Sequence, residues 1–210
     1  MLVNDADFPW WYMEIPKTAT TSITQALRTY FSKSRAPFAK HWPVLPSLNF
    51  YLKSKSIVSV RDPYSRAISC WQFFCDSDSV SLVEWLSTCK QKGFVDINIE
   101  ARPQSYWLQL NVSDWDYKIR QEHVKQDLNK FWKDTVNRAD SEMEVKRLNT
   151  SDSGKWVNRV GKRVKRTKKW QEYYCPDSIK LVQEIYEEDF ERLATDYDRD
   201  FNSTRRINMA

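Results

Sequence analysis

Glycine is scarce in this chain: three residues in 210, at Gly93, Gly154 and Gly161. No glycine-rich linker divides the sequence, so residues 1–210 are expected to form one domain. The spacing also excludes a G-x-x-x-x-G-K-[ST] phosphate loop and a G-x-G-x-x-G dinucleotide turn anywhere in the chain. Histidine is scarcer still, with only His41 and His123. The four cysteines, Cys70, Cys75, Cys89 and Cys175, follow neither a C-x-x-C metal spacing nor a dense disulfide framework. With no basic segment leading into an apolar one at the start, no export signal is visible, and the cysteines are expected as reduced thiols. No apolar run is long enough to cross a bilayer. What is present is the composition of a folded globular chain, 41% hydrophobic and 29% charged, with a formal charge of +5. That excess points to an anionic partner without naming one.

The order of patterns alternates strand and helix. Trp10 to Ile15 reads as a short buried strand ended by Pro16. Ile23, Ala26, Leu27, Tyr30 and Phe31 then recur on one helical face, with Thr20, Thr21 or Ser22 available as its cap. Ile57 to Val60 is a second strand, running into Arg61-Asp62-Pro63, where Asp62 suits an N-cap and Pro63 the first helical position. Ala67, Ile68, Trp71 and Phe74 or Cys75 continue as an apolar stripe. Further on, Val80–Lys90 and Glu122–Asp134 read as helices and Trp115–Ile119 as a strand. Ser178–Ala194 reads as one long helix with Ile179, Val182, Ile185, Tyr186, Phe190 and Leu193 inward. This alternation predicts an α/β fold with a central, mainly parallel sheet flanked by helices.

Three segments carry chemistry. In Ile15-Pro16-Lys17-Thr18-Ala19-Thr20-Thr21-Ser22, a strand-to-helix turn aims free N–H groups at the positive end of a helix dipole, which makes an anion site by geometry. Hydroxyls and one lysine add donors, and Ala19 is small enough for close approach provided its position does not require a positive φ. The same pattern also reads as a hydroxyl-rich cap beside a surface lysine. Arg61 and Ser69, eight positions apart, can grip a dianion where a strand ends, or Arg61 can pair with Asp62 or Arg66 with a neighbour as a structural ion pair. Residues 155–169 hold eight basic side chains and no acidic one, which reads equally as a solvated face.

Together the first two segments resemble the sulfotransferases. Residues 15–22 resemble their 5′-phosphosulfate loop, P-K-[TS]-[GA]-[ST]-[TS]-[ST], and residues 60–69 are similar to their 3′-phosphate element, R-[DN]-P-x-x-R-x-x-S. The match is nearest to the carbohydrate branch that includes heparan 2-O-sulfotransferase-like enzymes. Trp170-Gln171-Glu172-Tyr173-Tyr174 and the stretch from Val182 to Phe190 resemble that branch's W-x-x-Y-Y and V-x-x-x-Y-x-x-D-F ending.

The resemblance implies a P-loop-like three-layer fold and a donor, 3′-phosphoadenosine-5′-phosphosulfate, whose sulfuryl group passes to a hydroxyl acceptor, a carbohydrate in this branch, with no metal. It assigns Lys17 to the leaving phosphate and Thr18, Ala19, Thr20, Thr21 and Ser22 to the 5′-phosphate. Arg61 and Ser69 fall to the 3′-phosphate. Lys165-Arg166-Thr167-Lys168 resembles the K-G-R-T-H type loop over the nucleotide, though without its glycine. His41 lies where the branch carries a catalytic histidine and is the expected general base. Glu14 and Glu122 stand behind it, and His123 is expected on the solvated surface.

Animal members of the branch carry a Golgi membrane anchor. A first motif only fifteen residues into the chain fits a cytoplasmic bacterial or viral enzyme, or a trimmed catalytic domain. Two other classes remain open: a P-loop kinase or NTPase, which expects a G-K-[ST] ending that is missing here, and a nucleic-acid-binding protein using the basic run.

Overall fold

Parallel strands need a crossover of a dozen or more residues between them, and the chain supplies helices for that purpose. A computed structural model describes residues 2–5, 8–30, 55–94, 98–108, 115–136, 142–146, 157–162 and 168–201. In chain order the elements are β1 (Leu2–Asp5), β2 (Phe8–Met13), α1 (Thr20–Tyr30), β3 (Lys55–Val60), α2 (Pro63–Phe74) and α3 (Leu82–Lys92). They continue with α4 (Gln104–Trp107), β4 (Tyr117–Arg120), α5 (Val124–Val136), α6 (Pro176–Ile185) and α7 (Glu187–Arg192). Contacts divide the chain into two compact units, Met1–Arg61 with Tyr106–Leu148, and Asp62–Ser105 with Asn149–Ala210.

The first unit holds a four-stranded sheet in the order β1-β2-β3-β4. β1 runs antiparallel to β2, while β2, β3 and β4 are parallel, with Tyr12 beside Ile57 and Ile57 beside Tyr117. This is the α/β arrangement expected, a parallel sheet with helices against it. Ile23, Ala26 and Leu27 of α1 and Leu128, Phe131 and Trp132 of α5 pack with Tyr12, Ile57 and Ile119 into one core. Each fully buried aliphatic side chain there contributes about 1.5–3 kcal/mol. Asp116 ties the starts of β3 and β4 together by accepting the Ser56 N–H at 2.7 Å. The first strand was not expected: four residues at a sheet edge carry too little periodicity to read.

The second unit is helical, with Ala67, Ile68 and Trp71 of α2, Trp85 and Leu86 of α3, and Val182, Tyr186 and Phe190 in one cluster. The Asp62 cap is as read from the sequence: its Oδ1 accepts the Ser65 N–H at 2.7 Å and Pro63 opens the helix. Ser81 and Glu84 form a reciprocal capping box on α3, which therefore starts two residues later than expected. The long helix expected over Ser178–Ala194 is interrupted at Tyr186, at φ −108° and ψ 25°. Backbone hydrogen bonds still run through the break, from Tyr186 N–H to Val182 O and from Phe190 N–H to Tyr186 O. The Tyr186 hydroxyl meanwhile donates to the Ala101 carbonyl at 3.3 Å. All four cysteines are free thiols.

Candidate functional site

The segment after β2 departs from regular structure in a specific way. Lys17 and Ala19 both adopt left-handed backbone, at φ +69° and +63°, while Thr18 between them does not. Alternating handedness turns successive N–H groups toward one point, a concavity that receives anions. Each left-handed non-glycine residue costs about 1–2 kcal/mol. The position of Ala19 thus does demand a positive φ, and alanine holds it under strain. The first turn of α1 adds donors. Its ladder begins with the Ile23 N–H to the Ala19 carbonyl at 3.2 Å, so the Thr20 and Thr21 N–H groups have no acceptor within the helix. Thr20, Thr21 and Ser22 are the opening residues of α1 itself, not residues preceding it. Thr21 is exposed, Thr20 half-buried and Ser22 buried.

Interior bonds hold the strained turn. The buried Thr18 hydroxyl donates to the Ile15 carbonyl at 2.8 Å and lies 2.5 Å from the Ser59 hydroxyl. Its side chain is therefore engaged inside the protein, and the backbone is what Thr18 can offer a ligand. Arg61, at the end of β3, donates Nη1 to the Lys17 carbonyl at 3.1 Å. Glu14 is buried at the end of β2, where its Oε1 accepts the Thr24 hydroxyl of α1 at 2.7 Å. Lys17 itself is half-buried. The turn thus collects a lysine, N–H groups from two directions and a nearby guanidinium, a donor set that fits a phosphate or sulfate oxyanion.

The R-D-P-x-x-R-x-x-S element crosses the unit boundary along the chain: Arg61 closes the first, and Asp62 through Ser69 belong to the second. Ser69 lies on α2 and is nearly buried. The two arginines of the motif have different surroundings. Arg66 is fully buried, giving Nη1 to the Arg102 carbonyl at 2.8 Å and Nη2 to the Glu100 carbonyl at 3.1 Å. Asp189, also fully buried, accepts the N–H groups of Gln104 and Ser105 at 2.8 and 2.6 Å. Burial pushes its carboxyl upward, and the nearby Arg66 charge and the two N–H groups pull it back. Arg66, Tyr186 and Asp189 together fasten the segment from Glu100 to Ser105.

The ending motif also serves the interior. The Tyr174 hydroxyl donates to the Tyr64 carbonyl at 2.8 Å, and the Tyr64 ring meets Tyr174, Phe190 and Phe201 at 5.6, 5.0 and 5.1 Å.

The basic run is not uniform. Arg159 donates its N–H to the Phe73 carbonyl and sets its guanidinium 5.7 Å from the centre of the Phe74 ring. Lys162 pairs with Asp76, and Asn158 donates to the Cys75 carbonyl. These residues anchor the run to the end of α2. Lys168 is exposed, and Lys165, Arg166 and Thr167 lie outside the described residues, as does His41. His123 is exposed and Glu122 half-buried. Among the described residues, no group of three or more His, Cys, Asp or Glu is placed to hold a metal ion, and no helix is long and apolar enough to cross a membrane.

Sequence reasoning missed Ser59, which bonds Thr18 in the turn, Tyr12, which bonds Ser59, and Thr24, which bonds Glu14. Ser59 had left one signal, a hydroxyl inside the apolar run Ile57-Val58-Ser59-Val60. A family model described as the sulfotransferase family matches residues 2–198. No curated protein and no solved structure matches the chain.

Proposed function

This chain belongs to the sulfotransferase family, and from that premise we propose that it moves a sulfuryl group from 3′-phosphoadenosine-5′-phosphosulfate to a hydroxyl, on a glycan acceptor, with residues 1–210 acting as one sulfotransferase domain. The observation that carries the donor assignment is the left-handed turn at Lys17 and Ala19, with Arg61 bonded to its carbonyl. When bound, the donor supplies an activated sulfuryl group on a phosphate oxygen. The N–H groups of Thr18, Ala19, Thr20 and Thr21 and the Ser22 hydroxyl hold the 5′-phosphate. Lys17 neutralises the charge that grows on the leaving oxygen, and because the turn is already built, little reorganisation accompanies the reaction. Arg61 and Ser69 hold the 3′-phosphate, and Lys165, Arg166 and Lys168 add positive charge, with Thr167 a hydroxyl donor, for the nucleotide. His41 accepts the proton of the acceptor hydroxyl as its oxygen attacks sulfur.

Thermal stability tests the donor directly, because a ligand that binds only the native state raises it. The midpoint is expected to rise with 3′,5′-adenosine bisphosphate and much less with 5′-AMP or ATP. Arg61→Ala is expected to erase the difference, since a charge-assisted contact to a phosphate is worth about 1.5–3 kcal/mol. An equal response of the unsubstituted protein to all three nucleotides would remove the donor assignment. For the base, His41→Ala is expected to leave nucleotide affinity unchanged and to lower transfer to a neutral or anionic oligosaccharide by about 10²–10⁴-fold. Undiminished transfer would take His41 out of that role.

A further inference from the structure

The hydroxyls beneath the anion turn form a directed chain. The Tyr12 hydroxyl of β2 donates to Ser59 Oγ at 2.8 Å. Ser59 Oγ of β3 lies 2.5 Å from Thr18 Oγ1, and Thr18 Oγ1 donates to the Ile15 carbonyl at 2.8 Å. Each hydroxyl has a single proton. Since the proton of Tyr12 goes to Ser59 and that of Thr18 goes to Ile15, the proton between Ser59 and Thr18 belongs to Ser59. All three side chains are almost entirely shielded from water, Tyr12 at 2% exposure and Ser59 and Thr18 at 0%. Burial also holds the Tyr12 hydroxyl far above its ordinary range, so it stays protonated.

We infer that Tyr12 and Ser59 are positioning residues for the donor loop, acting through Thr18. The chain starts on one central strand, crosses to the next, and ends on the carbonyl two positions before Lys17. It braces the turn on its inner side, while Arg61 holds the Lys17 carbonyl. Two left-handed residues in three positions are strained, and such backbone persists only where surrounding contacts over-determine it. Aligned hydroxyls in a dry interior reinforce one another, so loss of one member weakens the others. Neither residue falls in a segment that resembles the family motifs. The functional consequence rests on the donor assignment above, whereas the bonded chain of hydroxyls does not.

Tyr12→Phe and Thr18→Val each delete one hydroxyl at nearly constant shape. Affinities for 3′,5′-adenosine bisphosphate and 5′-AMP are measured by calorimetry on both variants, on the double variant and on the unsubstituted chain. A urea midpoint for each separates loss of fold from loss of site, and Ser59→Ala replaces any variant that does not fold. Each single change is expected to weaken both nucleotides by about tenfold, since an interior partner is left unsatisfied. The ratio between the nucleotides is expected to stay constant, because the brace acts at the 5′ end they share. The double variant is expected to be little worse than the weaker single one, as members of one network are not additive. Affinities within about twofold of the unsubstituted chain, losses that multiply in the double variant, or a loss confined to the 3′-phosphorylated nucleotide would each overturn the inference. Failure of the donor assignment appears elsewhere, as a nucleotide ratio near one in the unsubstituted chain. If that chain binds neither nucleotide, the turn is not a nucleotide-anion site and the positioning role falls with it.

Discussion

Lys17→Ala is expected to slow sulfuryl transfer by about 10²–10³-fold, the usual cost of removing one preorganised electrostatic contact from a transition state. The expectation follows from where the charge is held. Lys17 sits in left-handed backbone with its own carbonyl fixed by Arg61, so its side chain starts from a rigid point. As the sulfur–oxygen bond breaks, negative charge accumulates on the phosphate oxygen, and an ammonium group is worth most at that moment. Nucleotide affinity is expected to fall far less, by about tenfold or under, because N–H groups of the turn still face the phosphate in the ground state. The measurement is release of 3′,5′-adenosine bisphosphate at saturating donor, with affinity determined separately. Equal losses in affinity and in turnover would make Lys17 a binding residue only, and turnover within tenfold of the unsubstituted chain would remove it from the chemistry.

Arg66→Ala is expected to destabilise the protein by about 3–5 kcal/mol, since two hydrogen bonds from a charged donor, worth about 1.5–3 kcal/mol each, are lost. The guanidinium, itself fully buried, satisfies the carbonyls of Glu100 and Arg102 and places its charge near the fully buried Asp189. Truncation leaves those carbonyls without their charged donor. Arg66→Lys is expected to recover only part of the loss, because one ammonium cannot present two forked donors to two carbonyls. Urea midpoints of the two variants check this. A change in Arg66→Ala below about 1 kcal/mol, the level of an exposed pair, would mean the guanidinium carries little of the fold. The contrast with Arg61 matters for reading the motif. Its first arginine bonds the carbonyl of the turn at Lys17, while its second is spent on the carbonyls of Glu100 and Arg102.

That difference was invisible in the residue pattern. Arg61 and Arg66 are the same residue type five positions apart, and the partners of Arg66 lie 34 and 36 positions further on. The Asp62 cap and Pro63, by contrast, were legible because capping is decided within three residues. The face of α1 was legible for a similar reason, since a repeat of apolar residues is a local property. Ala19 gave no warning of its left-handed backbone, because glycine is the residue that normally marks such a position. Thr18 looked like one more ligand donor among four hydroxyls, and only the placement of Ser59 behind it turns that hydroxyl inward. The basic run looked uniform until the end of α2 captured Arg159 and Lys162.

By itself, then, the sequence determined the alternation of strands and helices and the capped start of α2. These follow from short-range rules, from side-chain period and caps, each acting over a turn or a strand. Its motifs carried the resemblance to the family whose model matches the chain. The tertiary structure alone decided which polar groups turn inward to hold the scaffold, as Thr18 and Arg66 do. That choice depends on burial and on hydrogen-bond partners far away in the chain, and in a dry interior every hydroxyl, carbonyl and charge must find one.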